Sequence, residues 1–352
     1  MISISNYGET AMALGVGIIG ASRVSGGHAQ AIAAVPETRL VAIAEPDTQR
    51  RGQFMRDHPC TAYASHTELL ADPQVDIVMI GLPHFLHTEV ALAACAAGKH
   101  IFLEKPMAMT VADCNSIIAA AEQVGVKLLV GHTEHFLPAG LAARRLIQDG
   151  KLGEVVFATD TWYRTFDLAS RPPWFLNRAE GGGGMWYMNG VHMLDRLMWL
   201  IGSPITAVRA WVSNPMVGQN TDDTGLAWLD FANGTHATLH HTGYPQEGPE
   251  RNEVEIIGTH ASVRVATRDD RLWLSEGTKY VEQPLAADQD STGAFALELT
   301  GLVQAIENDT IPPVDGLWGR YIVAVALACE ESSRTGEVVP IPPYLYADLL
   351  SW

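Results

Sequence analysis

The sequence predicts an α/β domain with a parallel sheet covered by helices on both faces, followed by an α+β domain with a large open, mostly antiparallel sheet. Three observations predict it. Up to about residue 134, short and continuously apolar segments alternate with helical ones, the pattern of a parallel sheet buried on both faces. Beyond that point the strand segments alternate polar and apolar residues, as in a sheet with one free face. The length, 352 residues, gives a prior of roughly two domains. The boundary is expected at 134, giving domains 1–134 and 135–352, with the last helices able to pack back on the first domain.

The elements follow in order. Residues 14–20, LGVGIIG, read as the first strand. The turn ASRVSGG leads to a helix from His28 to Val35, and RLVAIAEPD (39–47) is the second strand. Strand, turn, helix and strand in this short span make a βαβ unit. VDIVMIGLP (75–83), HIFLEKP (100–106) and KLLVGHT (127–133) are three more strands, separated by helices at 88–99 and 111–125. A linking helix is expected at 138–153. Alternating strands follow at 154–164, 205–213, 224–232, 235–243, 252–259 and 261–267, with Asn233-Gly234 as a hairpin turn. A helix from Met185 to Leu200 follows the run Gly181 to Gly184, which reads as a mobile loop over a substrate. Two helices, about 292–308 and 316–335, close the chain, and residues 1–13 read as a loose leader.

Composition excludes several classes. Apolar residues make up 47% and charged residues 18%, the mix of a compact globular chain. Acids outnumber bases 40 to 23, for a formal charge of −17, and no basic run interrupts them. Nucleic acid and acidic membrane surfaces are therefore not expected partners. Cys60, Cys95, Cys114 and Cys329 are scattered, which suits reduced thiols in a cytoplasmic protein. No apolar stretch approaches the roughly 18 residues of a membrane helix. The first basic residue is Arg23, so an export signal is not expected. His236, His240 and His241 share a strand whose alternation separates neighbours, so no metal site is read from them.

The first strand-turn-helix places backbone amides at a helix N-terminus, where a pyrophosphate binds well. The turn reads Gly20-Ala21-Ser22-Arg23-Val24-Ser25-Gly26-Gly27, with Ser22 and Ser25 where a GxGxxG fingerprint has its second and third glycines. Glu45 ends the second strand, near the spacing of the acid that accepts bonds from a ribose. A carboxylate there repels a 2′-phosphate and favours NAD over NADP, whereas Arg23 can serve such a phosphate.

Together VGIIGASRVSGGHAQAI, GLPHFLHTEVALAACAAGKHIFLEKPMAMT, GHTEHFLPA, GKLGEVVFA, GGGGMWYMNGVHMLDRLMWLIG and PVDGLWGRYIVAVALACEESSRTGEVV resemble the glucose-fructose oxidoreductase / inositol dehydrogenase / MocA family over nearly the whole chain. Glu104-Lys105-Pro106 is the most specific part. The resemblance implies a Rossmann domain followed by an open-sheet domain. It implies a bound NAD(P) and hydride transfer to or from a sugar, cyclitol or related small molecule. It also implies dimers or tetramers joined through the sheet. By position, Lys105 is the family lysine near the nicotinamide and the reacting oxygen, and His192 in GVHMLD is the family's catalytic histidine. The family carries Asp four residues before that histidine, and this chain has Met188. Cofactor contacts are expected from Gly20, Ser22, Arg23, Val24, Glu45, Leu82, Pro83, His87, Glu104 and Lys105.

The chemistry agrees. Oxidising a secondary alcohol needs a base for the hydroxyl proton, which suits His192, and a cation beside the oxygen, which suits Lys105. Helical spacing puts 188, 192, 195 and 199 on one face, so Asp195 is expected to fix the His192 tautomer or to turn toward Arg196 or solvent. Lys105, His132, Tyr163, Arg164, Trp174, Asn189 and His192 are the expected substrate-binding residues, with Glu134, His135, Arg171, Trp186 and Tyr187 nearby. The Lys105–Pro106 bond is a candidate cis peptide. Two other functions stay open. One is a dehydrogenase of a carboxylated ring diol or hemiacetal in aromatic breakdown, with Arg164 and Arg171 on the carboxylate. The other is a non-catalytic dinucleotide sensor, suggested by Met188, Ser22 and Ser25.

Overall fold

The computed structural model describes residues 13–168, 171–216, 218, 220–285 and 293–351. The leader expected at 1–13 lies almost wholly outside them. The first sheet is built from β1 (Leu14–Ile19), β2 (Thr38–Ala44), β3 (Thr61–Tyr63), β4 (Ile77–Ile80), β5 (His100–Glu104) and β6 (Leu128–Gly131). All its pairings are parallel and the order is β3-β2-β1-β4-β5-β6. The order reverses between β1 and β4, so their C-terminal ends open a crevice at a topological switch point.

Around this sheet lie α1 (Ser25–Ala34), α2 (Thr48–Asp57), α3 (His66–Leu70), α4 (His87–Ala96) and α5 (Val111–Val124). The sequence reading missed α2 and α3, although Asp47 caps α2 and Ser65 with Glu68 forms a capping box on α3. After the helix α6 (Pro138–Gln148) comes β7 (Val155–Thr165), then the short α7 (Arg178–Gly181) and α8 (Val191–Ile201). The second sheet continues with β8 (Ile205–Ser213), β9 (Thr224–Phe231), β10 (His236–Tyr244), β11 (Arg251–Gly258), β12 (Ser262–Ala266), β13 (Arg271–Glu276) and β14 (Lys279–Gln283). Helices α9 (Ala294–Glu307) and α10 (Gly316–Thr335) and the two-residue β15 (Val339–Pro340) follow.

The second sheet runs β14-β13-β12-β11-β7-β10-β9-β8-β15. It is antiparallel except between β7 and β10, which are parallel. The β13–β14 hairpin was not expected from the sequence; its turn has Gly277 at φ 58°, a conformation glycine reaches without strain.

One face of this sheet is covered and the other is open. On β7 the even positions Ala158, Asp160 and Trp162 are buried beneath α8, while Phe157 on the odd side is 45% exposed. The last two helices pack on the first sheet. Leu299, Leu302 and Val303 of α9 join Val16, Ile18 and Ile32 in one apolar cluster, and α10 lies against α5 and β8. The C-terminal helices thus fix the parallel sheet against the open one, and the cleft between them holds the strand ends of β4, β5 and β6.

Candidate active site

Gly20 leaves β1 at φ 97°, and a Cβ there would stand 2.7 Å from the Gly81 carbonyl oxygen. Only glycine fits this approach of two backbones. The two serines that stand in for glycines bind the turn together. Ser25 Oγ donates to the Gly20 carbonyl at 2.6 Å, and Ser22 N–H donates to Ser25 Oγ at 3.0 Å. Helix α1 then starts at Ser25, after Val24 as N-cap, with no capping side chain and no acid in its first turn. Such a start leaves amides and the positive end of the helix dipole for a pyrophosphate, so the residues fit a dinucleotide. Leu82 and Pro83 follow β4 across the crevice. Glu45 is buried at the end of β2, where its carboxylate accepts bonds from the Ala21 and Asp47 amides, each at 2.9 Å, and from Arg50 at 3.0 Å.

Two expected cofactor residues have other work. Glu104 Oε1 meets His28 Nε2 at 2.8 Å, tying β5 to α1 beneath the turn. Burial works to raise the Glu104 carboxyl, but the His28 bond and the nearby Lys105 hold it below its ordinary value. His87 is fully buried and its ring bridges the Leu82 and Pro106 carbonyls at 2.9 and 3.0 Å. Glu104 is thus bonded to a side chain of α1, and His87 to two backbone carbonyls. The Lys105–Pro106 bond is cis.

Lys105 follows β5 and reaches across the cleft, where Nζ donates to the Met188 carbonyl at 3.1 Å. The position that lacks the family Asp therefore offers a main-chain acceptor to the lysine. Burial chiefly pushes the Lys105 pKa down to about 8, helped by Arg268 and Arg171 and opposed by Glu104 and Glu134. Met188 belongs to a π-helical turn, Trp186–Gly190, that precedes α8. The expected continuous α-helix is corrected here. The wider turn breaks the spacing that would align 188 with 192, and the Met188 side chain packs instead against Phe166, Phe175 and Met185.

His192 sits in the first turn of α8, 7% exposed, and its Nδ1 is buried without a partner among the described residues. Burial, then Lys105 and Arg268, holds its pKa well below the ordinary value, so the ring is neutral at pH 7. The buried Asn189 amide nitrogen also lacks a partner among the described residues. His132 is buried, with Nδ1 3.6 Å from Asp195.

Asp195 does not hold His192. Its Oδ1 accepts from His135 at 2.8 Å and from Trp318 Nε1 at 2.7 Å; burial works to raise its carboxyl, but the electrostatic effect of the nearby His135 and His132, then these bonds, holds it below the ordinary value. Nor does it turn to Arg196, which is buried against Asp160, Asn252 and Thr267. Tyr163 is a second correction. Strand alternation puts it with Phe157 on the open face, opposite Trp162, whose ring lies 6.1 Å from that of His192. Arg164 does share the Trp162 face. Trp174 packs 5.0 Å from His84, a residue the sequence reading passed over, and His84 Nδ1 meets the Gly181 carbonyl at 2.7 Å. The glycine run is pinned, not loose. Asp222 accepts from Gly184 and Trp186 amides at 2.6 and 2.5 Å, and a Cβ on Gly184 would run into the Asp222 backbone.

Among the described residues, no cluster of His, Cys, Asp and Glu has the makings of a metal site, and no helix is long and apolar enough to cross a membrane. The model of an oxidoreductase family with an NAD-binding Rossmann fold matches residues 14–132, and that of the GFO/IDH/MocA C-terminal domain matches 141–264. The chain belongs to the GFO/IDH/MocA family. It is an oxidoreductase that uses a nicotinamide cofactor on a small molecule. A 1,5-anhydro-D-fructose reductase of Ensifer adhaerens is 29% identical over 338 residues, covering 92% of this chain and 94% of that protein. A 1-carboxy-3-chloro-3,4-dihydroxycyclohexa-1,5-diene dehydrogenase of Comamonas testosteroni is 33% identical over 221 residues, 62% of this chain and 54% of that protein. The aldose-aldose oxidoreductase from Caulobacter crescentus, crystallised with glycerol, has a TM-score of 0.85 at 26% identity, covering 93% of this chain and 99% of that one.

Proposed function

We propose that this enzyme moves a hydride between NAD and a secondary alcohol or ketone of a sugar, cyclitol or related polyol, with Lys105 and His192 as its catalytic residues. One observation carries the reading: an ammonium anchored on the Met188 carbonyl shares the cleft with a neutral, incompletely bonded imidazole, at the strand ends where open parallel sheets bind ligands. When bound, the nicotinamide supplies the hydride acceptor or donor. Lys105 stabilises charge developing on the substrate oxygen. His192, neutral at pH 7, has the lone pair to take the hydroxyl proton and returns it in the reverse direction. Asn189, whose amide nitrogen has no partner among the described residues, offers a donor for a neighbouring hydroxyl.

Glu45 supports NAD over NADP, because a 2′-phosphate beside its carboxylate would be repelled. Self-association through the second sheet is supported by Phe157, Trp211, Leu226 and Trp228, which lie on its open face at 45–48% exposure. A screen of polyols, sugars and cyclitols with both dinucleotides, read by reduced-nicotinamide absorbance, tests the assignment. Turnover that persists undiminished in Lys105→Ala overturns the catalytic roles.

A further inference from the structure

Four arginines have no part in the mechanism above: Arg171 and Arg268, near Lys105, and Arg164 and Arg23, near Arg171. Arg164 extends from β7 on the face that carries Trp162. Arg171 lies over the rings of Phe166 and Phe175, at 5.2 and 5.0 Å from their centroids. Arg268 lies 4.9 Å over Trp162, and Arg23 comes from the turn before α1. In a chain of net charge −17 this is a local reversal of sign.

The acids around them do not cancel it. Glu134 is bonded to Arg268 at 2.7 Å and to Thr267 at 2.8 Å. Glu250 faces Arg164 while accepting the Thr165 amide at 2.9 Å, and Asp167 faces Arg171. Among the described residues neither Arg164 nor Arg171 forms an ion pair, and Arg171 Nε is buried with no hydrogen-bond partner. Burial chiefly lowers both guanidinium pKa values from the ordinary one; at Arg164 it is opposed by Glu250 and helped by Arg268 and Arg23, and at Arg171 it is helped by Arg164 and Arg23 and opposed by Asp167. Arg171 and Arg268 are also close enough to depress the Lys105 pKa, so the group and the reacting centre share one field.

We propose that the substrate alcohol carries a carboxylate, which Arg171 and Arg164 grip while the carbinol lies between Lys105 and His192. The inference rests on the oxidoreductase reading above and names its substrate class: a polyhydroxylated ring bearing a carboxylate. A carboxylate between the two guanidinium groups relieves their repulsion. The planar fork of Arg171, oriented by the two phenyl faces, suits bidentate recognition. The carbinol carbon loses a hydride to the nicotinamide and its oxygen loses a proton to His192, leaving the ketone with the carboxylate unchanged. If the ring is a diene diol, the hydroxyketone formed enolises to an aromatic diol with no further oxidant.

The test is a paired panel. Ring diol carboxylates and sugar acids are compared with their primary carboxamides, in wild type, Arg171→Gln, Arg164→Gln and Arg171→Lys, with NADH affinity measured for each. The wild type is expected to favour carboxylates at least 10-fold in kcat/KM. Arg171→Gln is expected to lower that preference about 10- to 100-fold, chiefly through KM, with partial recovery in Arg171→Lys. The better of the two acid series identifies the ring. Equal use of acids and amides by the wild type overturns this inference and leaves the oxidoreductase reading standing. An equal loss of NADH affinity in the variants assigns the arginines to the pyrophosphate and also overturns it. No turnover of any member with either dinucleotide also overturns this inference, while the screen of neutral polyols, sugars and cyclitols decides the oxidoreductase reading separately.

Discussion

Lys105→Met separates the energetic cost of the site from its use. Methionine keeps an unbranched side chain of similar reach and removes the charge. Folding lowers the Lys105 pKa from 10.5 to about 8, chiefly by burial. At about 1.4 kcal/mol per pKa unit, the folded state carries a penalty of about 3 kcal/mol at pH 7. The substitution also leaves the Met188 carbonyl without its donor, a loss of about 1 kcal/mol. The net expectation at pH 7 is a protein about 2 kcal/mol more stable, with turnover reduced about 10²- to 10³-fold. The sign depends on pH. Because the folded pKa lies below the unfolded one, the penalty is complete below about pH 8, fades as pH rises toward 10.5, and is absent above it. Urea midpoints at pH 7 and pH 10.5 read this out, the stabilisation shrinking or reversing at the higher pH. A variant less stable than wild type at pH 7, or a gain equal at both pH values, would refute the reasoning.

Other outcomes follow from the same geometry. Asp195→Ala leaves His135 and Trp318 without their acceptor, so the melting temperature should fall with a loss of about 2–4 kcal/mol. Its effect on kcat should stay under about 10-fold, against about 10²- to 10⁴-fold for His192→Gln. Glu45→Ala should narrow the NAD over NADP preference in kcat/KM by about 10-fold, as one carboxylate's repulsion is removed. Trp228→Asp places a charge in the open sheet face and should shift the sedimentation profile toward monomer.

Much of this was legible in the sequence, for physical reasons. Continuous apolar strands such as 75–83 and alternating ones such as 205–213 announce their sheets, because side-chain period follows burial. Lys105 and His192 stand out as residue types suited to the reaction, and in the fold Lys105 lies near enough to lower the His192 pKa. What the sequence hid depends on contacts distant along the chain. Asp195 shares a helix with His192, yet its partners come from residues 135 and 318. The π turn at 186–190 was hidden too. Nothing in WYMNG signals the extra residue in the turn, while the anchors at Asp222 and Ala108 that pin its start come from elsewhere. Tyr163 needed only strand alternation, read from Trp162, to be placed on the far face. The capping residues Asp47 and Ser65 were local signals for α2 and α3 that the apolar pattern alone does not show.

The most direct measurement is a crystal structure of the ternary complex with reduced dinucleotide and an unreactive alcohol analogue. The account predicts Lys105 Nζ and an imidazole nitrogen of His192 both within about 3.2 Å of the analogue's hydroxyl oxygen. Either group separated from that oxygen by more than one water layer would contradict it.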